Sequence, residues 1–188
     1  RSGIYGLIVS RPTAGYGYLE KQIAANTYAG DTYVSFSFYI DTAPSSQIGI
    51  MQVWDNAAGY GNFGIRLNAD NTLELWDESI SPVQIGNDSS ALSTAQWYEI
   101  RVYFDYNLLT GHTATAWYAK KKSDWTFNGL GHFGGTGEFT QFATGSTNAS
   151  YDNNSMLDVC FITANITGKI YIDDVIVTTD GFVNHTAI

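Results

Sequence analysis

Two aspartates, Asp173 and Asp174, stand side by side in the middle of the apolar run IYIDDVIV. Neighbouring residues of a β-strand point to opposite faces. If either face is covered, one of these carboxylates points at a core, where a charge without a partner is costly. Two chemistries answer that cost. Calcium takes roughly six to eight oxygens, often one or two carboxylates with backbone carbonyls. A closing strand beside the start of the chain would offer an Asp carboxylate together with carbonyls near Ser2 and Gly3. The alternative is a carboxylate that accepts hydrogen bonds from a buried Tyr or Ser or from backbone N–H groups. The sequence leaves both open.

A second chemistry is carbohydrate contact, which needs exposed aromatic rings flanked by amide and carboxyl groups. Trp125 and Phe127 lie in the long polar, Gly-rich segment KKKSDWTFNGLGHFGGTG, and Tyr60 in AAGYGNF, with Trp54 at the end of the preceding strand. These four are the candidate sugar contacts, against the alternatives of loop anchors or a subunit interface. Trp97 and Trp117 fall inside strands and read as core or sheet-face packing. N-x-S/T sequons at Asn87, Asn148, Asn153, Asn165 and Asn184 are glycosylation candidates in a secreted protein, or chance in Asx-rich loops.

Other patterns carry less. DNAAGYGN, NADN and YDNN lack the spacing of a calcium loop and read as turns between strands. GLGHFG matches a phosphate-binding glycine pattern but precedes no helix, so it reads as a loop. His112, His132 and His185 are scattered without metal-ligand spacing, and KKK (120–122) reads as a solvated strand end.

The elements that must position these residues follow a period of two. YVSFSFYI puts Val34, Phe36, Phe38 and Ile40 on one face and Tyr33, Ser35, Ser37 and Tyr39 on the other. WYEIRVYFDY opposes Tyr98, Ile100, Val102 and Phe104 to Glu99, Arg101, Tyr103 and Asp105. Further strands are predicted at 4–10, 17–23, 46–54, 62–68, 72–76, 82–86, 112–119, 139–143, 156–164 and 169–178. No segment holds a helical period over three turns; SSALSTAQW is the one candidate for a short turn. Many short strands without helical crossovers predict an all-β, antiparallel two-sheet sandwich, a jelly roll, as a single domain over 1–188.

Composition agrees. The 188 residues include 13 Tyr, 10 Phe, 5 Trp and 19 Gly, which suits an all-β chain. Nine basic against 18 acidic residues give a net charge of −9, unfavourable for nucleic acid or anionic lipid. The single Cys160 leaves no internal disulfide, and no apolar run approaches the roughly 18 residues of a membrane span. The chain opens inside an expected strand and shows no signal peptide, the mark of a processed chain or a piece of a longer one.

Three stretches carry a family resemblance. RSGIYGLIVS resembles the opening strand of many carbohydrate-binding modules. LSTAQWYEIRVYFD resembles the central strand of laminin-G-like domains, and IYIDDVIV the strand that closes them. In order and spacing they cover nearly the whole chain, which is thus similar to the concanavalin A-like lectin/glucanase jelly rolls, particularly laminin-G-like modules. The resemblance implies a structural calcium between first and last strands. It also allows a glucanase, whose paired carboxylates share one strand face. The nearest pattern here, LELWDES, puts Asp77 three residues from Glu74, on the opposite face of a regular strand. Alginate lyases of this type carry a His after Gln-Ile, where this chain has Gly49.

The expectation is therefore a non-catalytic carbohydrate-binding or adhesion module, extracellular or surface-displayed, whose partner is a neutral or weakly charged glycan. The alternative is a structural subunit of a virion, extracellular filament or surface layer, with copies of itself or a larger assembly as partner.

Overall fold

The computed structural model describes residues 7–9, 17–25, 31–55, 60–79, 81–105, 112–121, 139–147, 154–162 and 167–178. They form twelve strands: β1 (Leu7–Val9), β2 (Gly17–Ala25), β3 (Asp31–Thr42), β4 (Ile48–Asp55), β5 (Tyr60–Leu67), β6 (Leu73–Asp77), β7 (Val83–Ile85), β8 (Gln96–Asp105), β9 (His112–Lys120), β10 (Thr140–Thr147), β11 (Asn154–Ile162) and β12 (Lys169–Thr178). Each corresponds to a stretch whose alternation predicts a strand. Among the described residues there is no helix, and SSALSTAQW contributes only a turn at 94–95.

The strands make two antiparallel six-stranded sheets, ordered β1-β12-β3-β8-β9-β10 and β2-β11-β4-β5-β6-β7. The final strand returns to the start of the chain: β12 lies between β1 and β3, with Ile172 opposite both Leu7 and Phe38. Gly168 makes this return possible. At φ 151° it lets the backbone pass Pro44, whose Cα would stand 2.8 Å from a Cβ placed there. Reciprocal contacts between Ser45 and Thr167 fix the approach.

The core lies between the sheets and is built from the apolar halves of the alternating patterns. Val34, Phe36, Phe38 and Ile40 of β3 and Ile100, Val102 and Phe104 of β8 face Val53, Phe63, Ile65, Leu67, Leu73 and Leu75 of the other sheet, all fully buried. Phe63 and Phe104 stack across the layers with ring centroids 4.5 Å apart. Each such side chain contributes about 1.5–3 kcal/mol by leaving water.

Alternation fails at one place, and it is the Asp pair. Register runs from Asp173 opposite Ser37 to Ile176 opposite Ser35, so β12 advances three residues while β3 advances two. This is a β-bulge, with Asp174 at φ 53°, a left-handed conformation that Asp tolerates better than most side chains. The expectation that one carboxylate points at the core therefore does not hold. Ser37 lies on the outer face, and both aspartates reach that face: Asp173 as its cross-strand partner, Asp174 by hydrogen bond. Ile172 before the bulge and Val177 after it pack on the core.

Candidate functional site

The outer face of the first sheet carries the unusual chemistry. On β12, β3 and β8, Tyr171, Tyr39 and Trp97 are successive cross-strand partners. Their rings form a continuous row, 5.6 Å from Tyr171 to Tyr39 at 78° and 5.3 Å from Tyr39 to Trp97 at 48°. The rings are tilted against one another, so the row is stepped rather than flat, and all three are half-buried. Lys169 Nζ stands 5.1 Å from the Tyr171 ring and 3.8 Å from Asp41, and Lys121 Nζ stands 5.8 Å from the Trp97 ring. Aromatic pairs of this kind add about 0.5–1.5 kcal/mol beyond their burial.

The next row inward is polar: Asp173, Ser37 and Glu99, again cross-strand partners. Glu99 has no exposed surface, yet it lies on the outer face and not in the core. Arg101, two residues along the same strand, donates from Nε to Glu99 Oε1 at 2.9 Å and stacks its guanidinium 3.9 Å over the Phe139 ring. Burial pushes the Glu99 carboxyl up to about 8, against the pull of Arg101 and Lys121. Burial likewise raises Asp173, and the neighbouring Asp174 charge adds to that. Asp174 accepts from Ser Oγ of residue 37 at 3.3 Å and lies 3.6 Å from Lys121 Nζ, which itself donates to Ser37 at 3.0 Å.

Two carboxyl oxygens here have no hydrogen-bond partner among the described residues. Asp173 Oδ1 takes the backbone N–H of Asp174, while its second oxygen has no hydrogen-bond partner among the described residues. Glu99 Oε2 is buried and likewise without a partner among them. A buried polar atom without a partner carries a desolvation cost.

The outer face of the second sheet is differently built. Arg66 makes a two-pronged contact with Glu78, donates to Gln47 at 2.9 Å and lies 3.9 Å over the Trp76 ring. Glu74 accepts from Gln47, Asn68 and Trp76. Gly64 makes room, since a Cβ there would fall 2.7 Å from Glu78 Oε1. These groups largely satisfy one another, and the guanidinium covers the aromatic ring. Gln52 Oε1 is the unfilled buried acceptor of this face among the described residues. The Glu74/Asp77 expectation holds: Glu74 pairs with Arg66 on the outer face, whereas Asp77 is opposite Phe63.

The residues singled out in the sequence are only partly brought together. Trp54 and Tyr60 are placed as strand positions, opposite Gly61 and Asp55 respectively; their side chains, like Trp125 and Phe127, lie outside the described residues. So do Ser2 and Gly3, and the sequons at Asn148, Asn153, Asn165 and Asn184; Asn87 is exposed between β7 and β8. Among the described residues no three His, Cys, Asp or Glu side chains are grouped to hold a metal. The KKK reading needs correction: Lys120 is exposed, but the Lys121 side chain is only 12% exposed because it reaches back to Ser37 and Asp174. Sequence reasoning missed the row of Tyr171, Tyr39 and Trp97. Its signal was the non-core half of YVSFSFYI, but cross-strand register was needed to assemble it.

No protein-family model matches the chain, and no curated protein matches it. Solved structures do. The endo-β-1,4-glucuronan lyase from the fungus Trichoderma reesei is similar over 94% of this chain and 82% of its own, with a TM-score of 0.60 and 12% identity. Carbohydrate-binding module CBM66 from Bacillus subtilis is similar over 92% and 91%, with a TM-score of 0.51 and 8% identity. An engineered GH43 glycoside hydrolase with endo-xylanase and exo-arabinofuranosidase activity is similar over 93% of this chain, which spans 34% of that one, with a TM-score of 0.59 and 13% identity. The chain has the concanavalin A-like jelly-roll fold, which it shares with carbohydrate-binding and carbohydrate-active proteins.

Proposed function

We propose that this chain is a non-catalytic carbohydrate-binding module, extracellular or surface-displayed, that holds a glycan across Tyr171, Tyr39 and Trp97. The observation that carries this reading is the half-buried aromatic row lying directly against the polar row of Asp173, Ser37 and Glu99. Sugars have apolar C–H faces that stack on rings and hydroxyl edges that seek acceptors and donors, and the two rows offer both. The fold shared with CBM66 is consistent with it. The face with Glu74 and Glu78 supports a structural reading, because its carboxylates are already engaged by Arg66, Gln47, Asn68 and Trp76.

Affinity electrophoresis through gels containing soluble polysaccharides tests the proposal. Retardation by at least one polysaccharide, without release of sugar fragments from it, is the expected result. Fragment release would make the chain an enzyme. Absence of binding to a broad panel, together with ordered polymers in solution, would favour the assembly alternative.

A further inference from the structure

Next to the aromatic row, the face holds three carboxyl groups within two rows. Asp173 and Asp174 are adjacent, and Glu99 lies across Ser37 from Asp173. Their surroundings are unequal. Asp174 is engaged by Lys121 and Ser37, and Glu99 has one oxygen engaged by Arg101. Asp173 is half-buried, takes one backbone N–H, and keeps its other oxygen without a partner among the described residues. Glu99 Oε2, in the same cross-strand row, is fully buried and has no hydrogen-bond partner among the described residues. A sugar hydroxyl can supply the donor that the open Asp173 oxygen takes.

From this we infer that the site selects uncharged sugars and that Asp173 is its specificity-determining residue, accepting hydrogen bonds from neighbouring hydroxyls of a sugar held against the row of Tyr171 and Tyr39. The inference rests on the glycan-binding reading above and adds the substrate class and the residue that sets it. A carboxylate accepts from two hydroxyls at once, and such charge-assisted bonds are stronger than neutral ones. A carboxylated sugar at the same place would bring its own anion beside Asp173 and Asp174 on a chain of net charge −9. Two ammonium groups stand beside the row, and both are engaged by protein acceptors. Lys121 is committed to Ser37 and Asp174, and Lys169 is shared with Asp41.

The test measures binding of the full chain to neutral polysaccharides (galactomannan, xylan and mixed-linkage β-glucan) and to the carboxylated polygalacturonate and alginate. Melting temperature is recorded for every variant. The expected result is retardation by at least one neutral polymer and none by the polyuronates, with D173N weakening the neutral interaction by about tenfold or more while melting as the parent does. Binding that W97A abolishes but D173N leaves intact would overturn the role of Asp173 alone. A preference for polyuronate would overturn the substrate class. No binding to any polymer would overturn the glycan reading itself.

Discussion

Lys121 Nζ lies 3.6 Å from Asp174 Oδ2, at a point where both side chains are nearly buried. The same ammonium donates to Ser37 at 3.0 Å. One cation just past β9 thus holds β3 and the bulge of β12, and neutralises the carboxylate that the bulge turns onto the outer face. Removing one partner of a buried pair leaves the other charge uncompensated, which typically costs about 3–5 kcal/mol. K121M should therefore lower the unfolding free energy by a large part of that amount in urea titrations. The double variant K121M/D174N should recover much of the loss, because Asn also tolerates the left-handed backbone at this position. Equal stability of K121M and the parent would show the contact to be incidental.

The Glu99 carboxyl sets the sign of a pH effect. Its folded value of about 8 lies above its ordinary value of 4.5, so the folded chain holds this proton more tightly than the unfolded chain. As pH rises from about 4.5 to about 8, its ionisation favours unfolding, by up to about 1.4 kcal/mol per pH unit. Below that window the contribution is absent, and above it the loss is constant. E99Q should thus gain stability relative to the parent between pH 5 and 8, measured as the difference in denaturant midpoint across that range. A parallel pair of curves would contradict the assignment.

Chelation addresses the Asp pair directly. With Lys121 and Ser37 already at Asp174, we propose that protein donors rather than a cation hold this carboxylate in place. Melting in the presence of excess EDTA should match melting with added Ca2+, since a ligand bound only by the native state shifts stability. A rise in melting temperature with Ca2+ would restore the ion suggested by the closing-strand resemblance.

The strands were legible in the sequence because alternation is a local property. Val34, Phe36, Phe38 and Ile40 face the core as their spacing predicts, and all twelve strands lie where apolar and polar residues alternate. The site was less legible, for two physical reasons. Tyr171, Tyr39 and Trp97 are far apart along the chain and meet only through register, which no single strand encodes. The bulge at Asp174 inserts one residue and reverses the facing that strict alternation assigns. Lys121 reads as solvated in the sequence because its neighbours there are lysines, whereas its partners belong to other strands.

The central claim is that the outer aromatic row binds glycan, and Trp97 tests it most directly. It sits on the outer face of β8, paired with Tyr39 and away from the core residues of that strand. The decisive measurement is affinity electrophoresis of W97A beside the parent chain in the polysaccharide that retards the parent most, with melting temperature recorded for both. The account predicts that retardation is lost while W97A still unfolds cooperatively within a few degrees of the parent. A folded W97A that is retarded as strongly as the parent would contradict it and place the binding surface elsewhere.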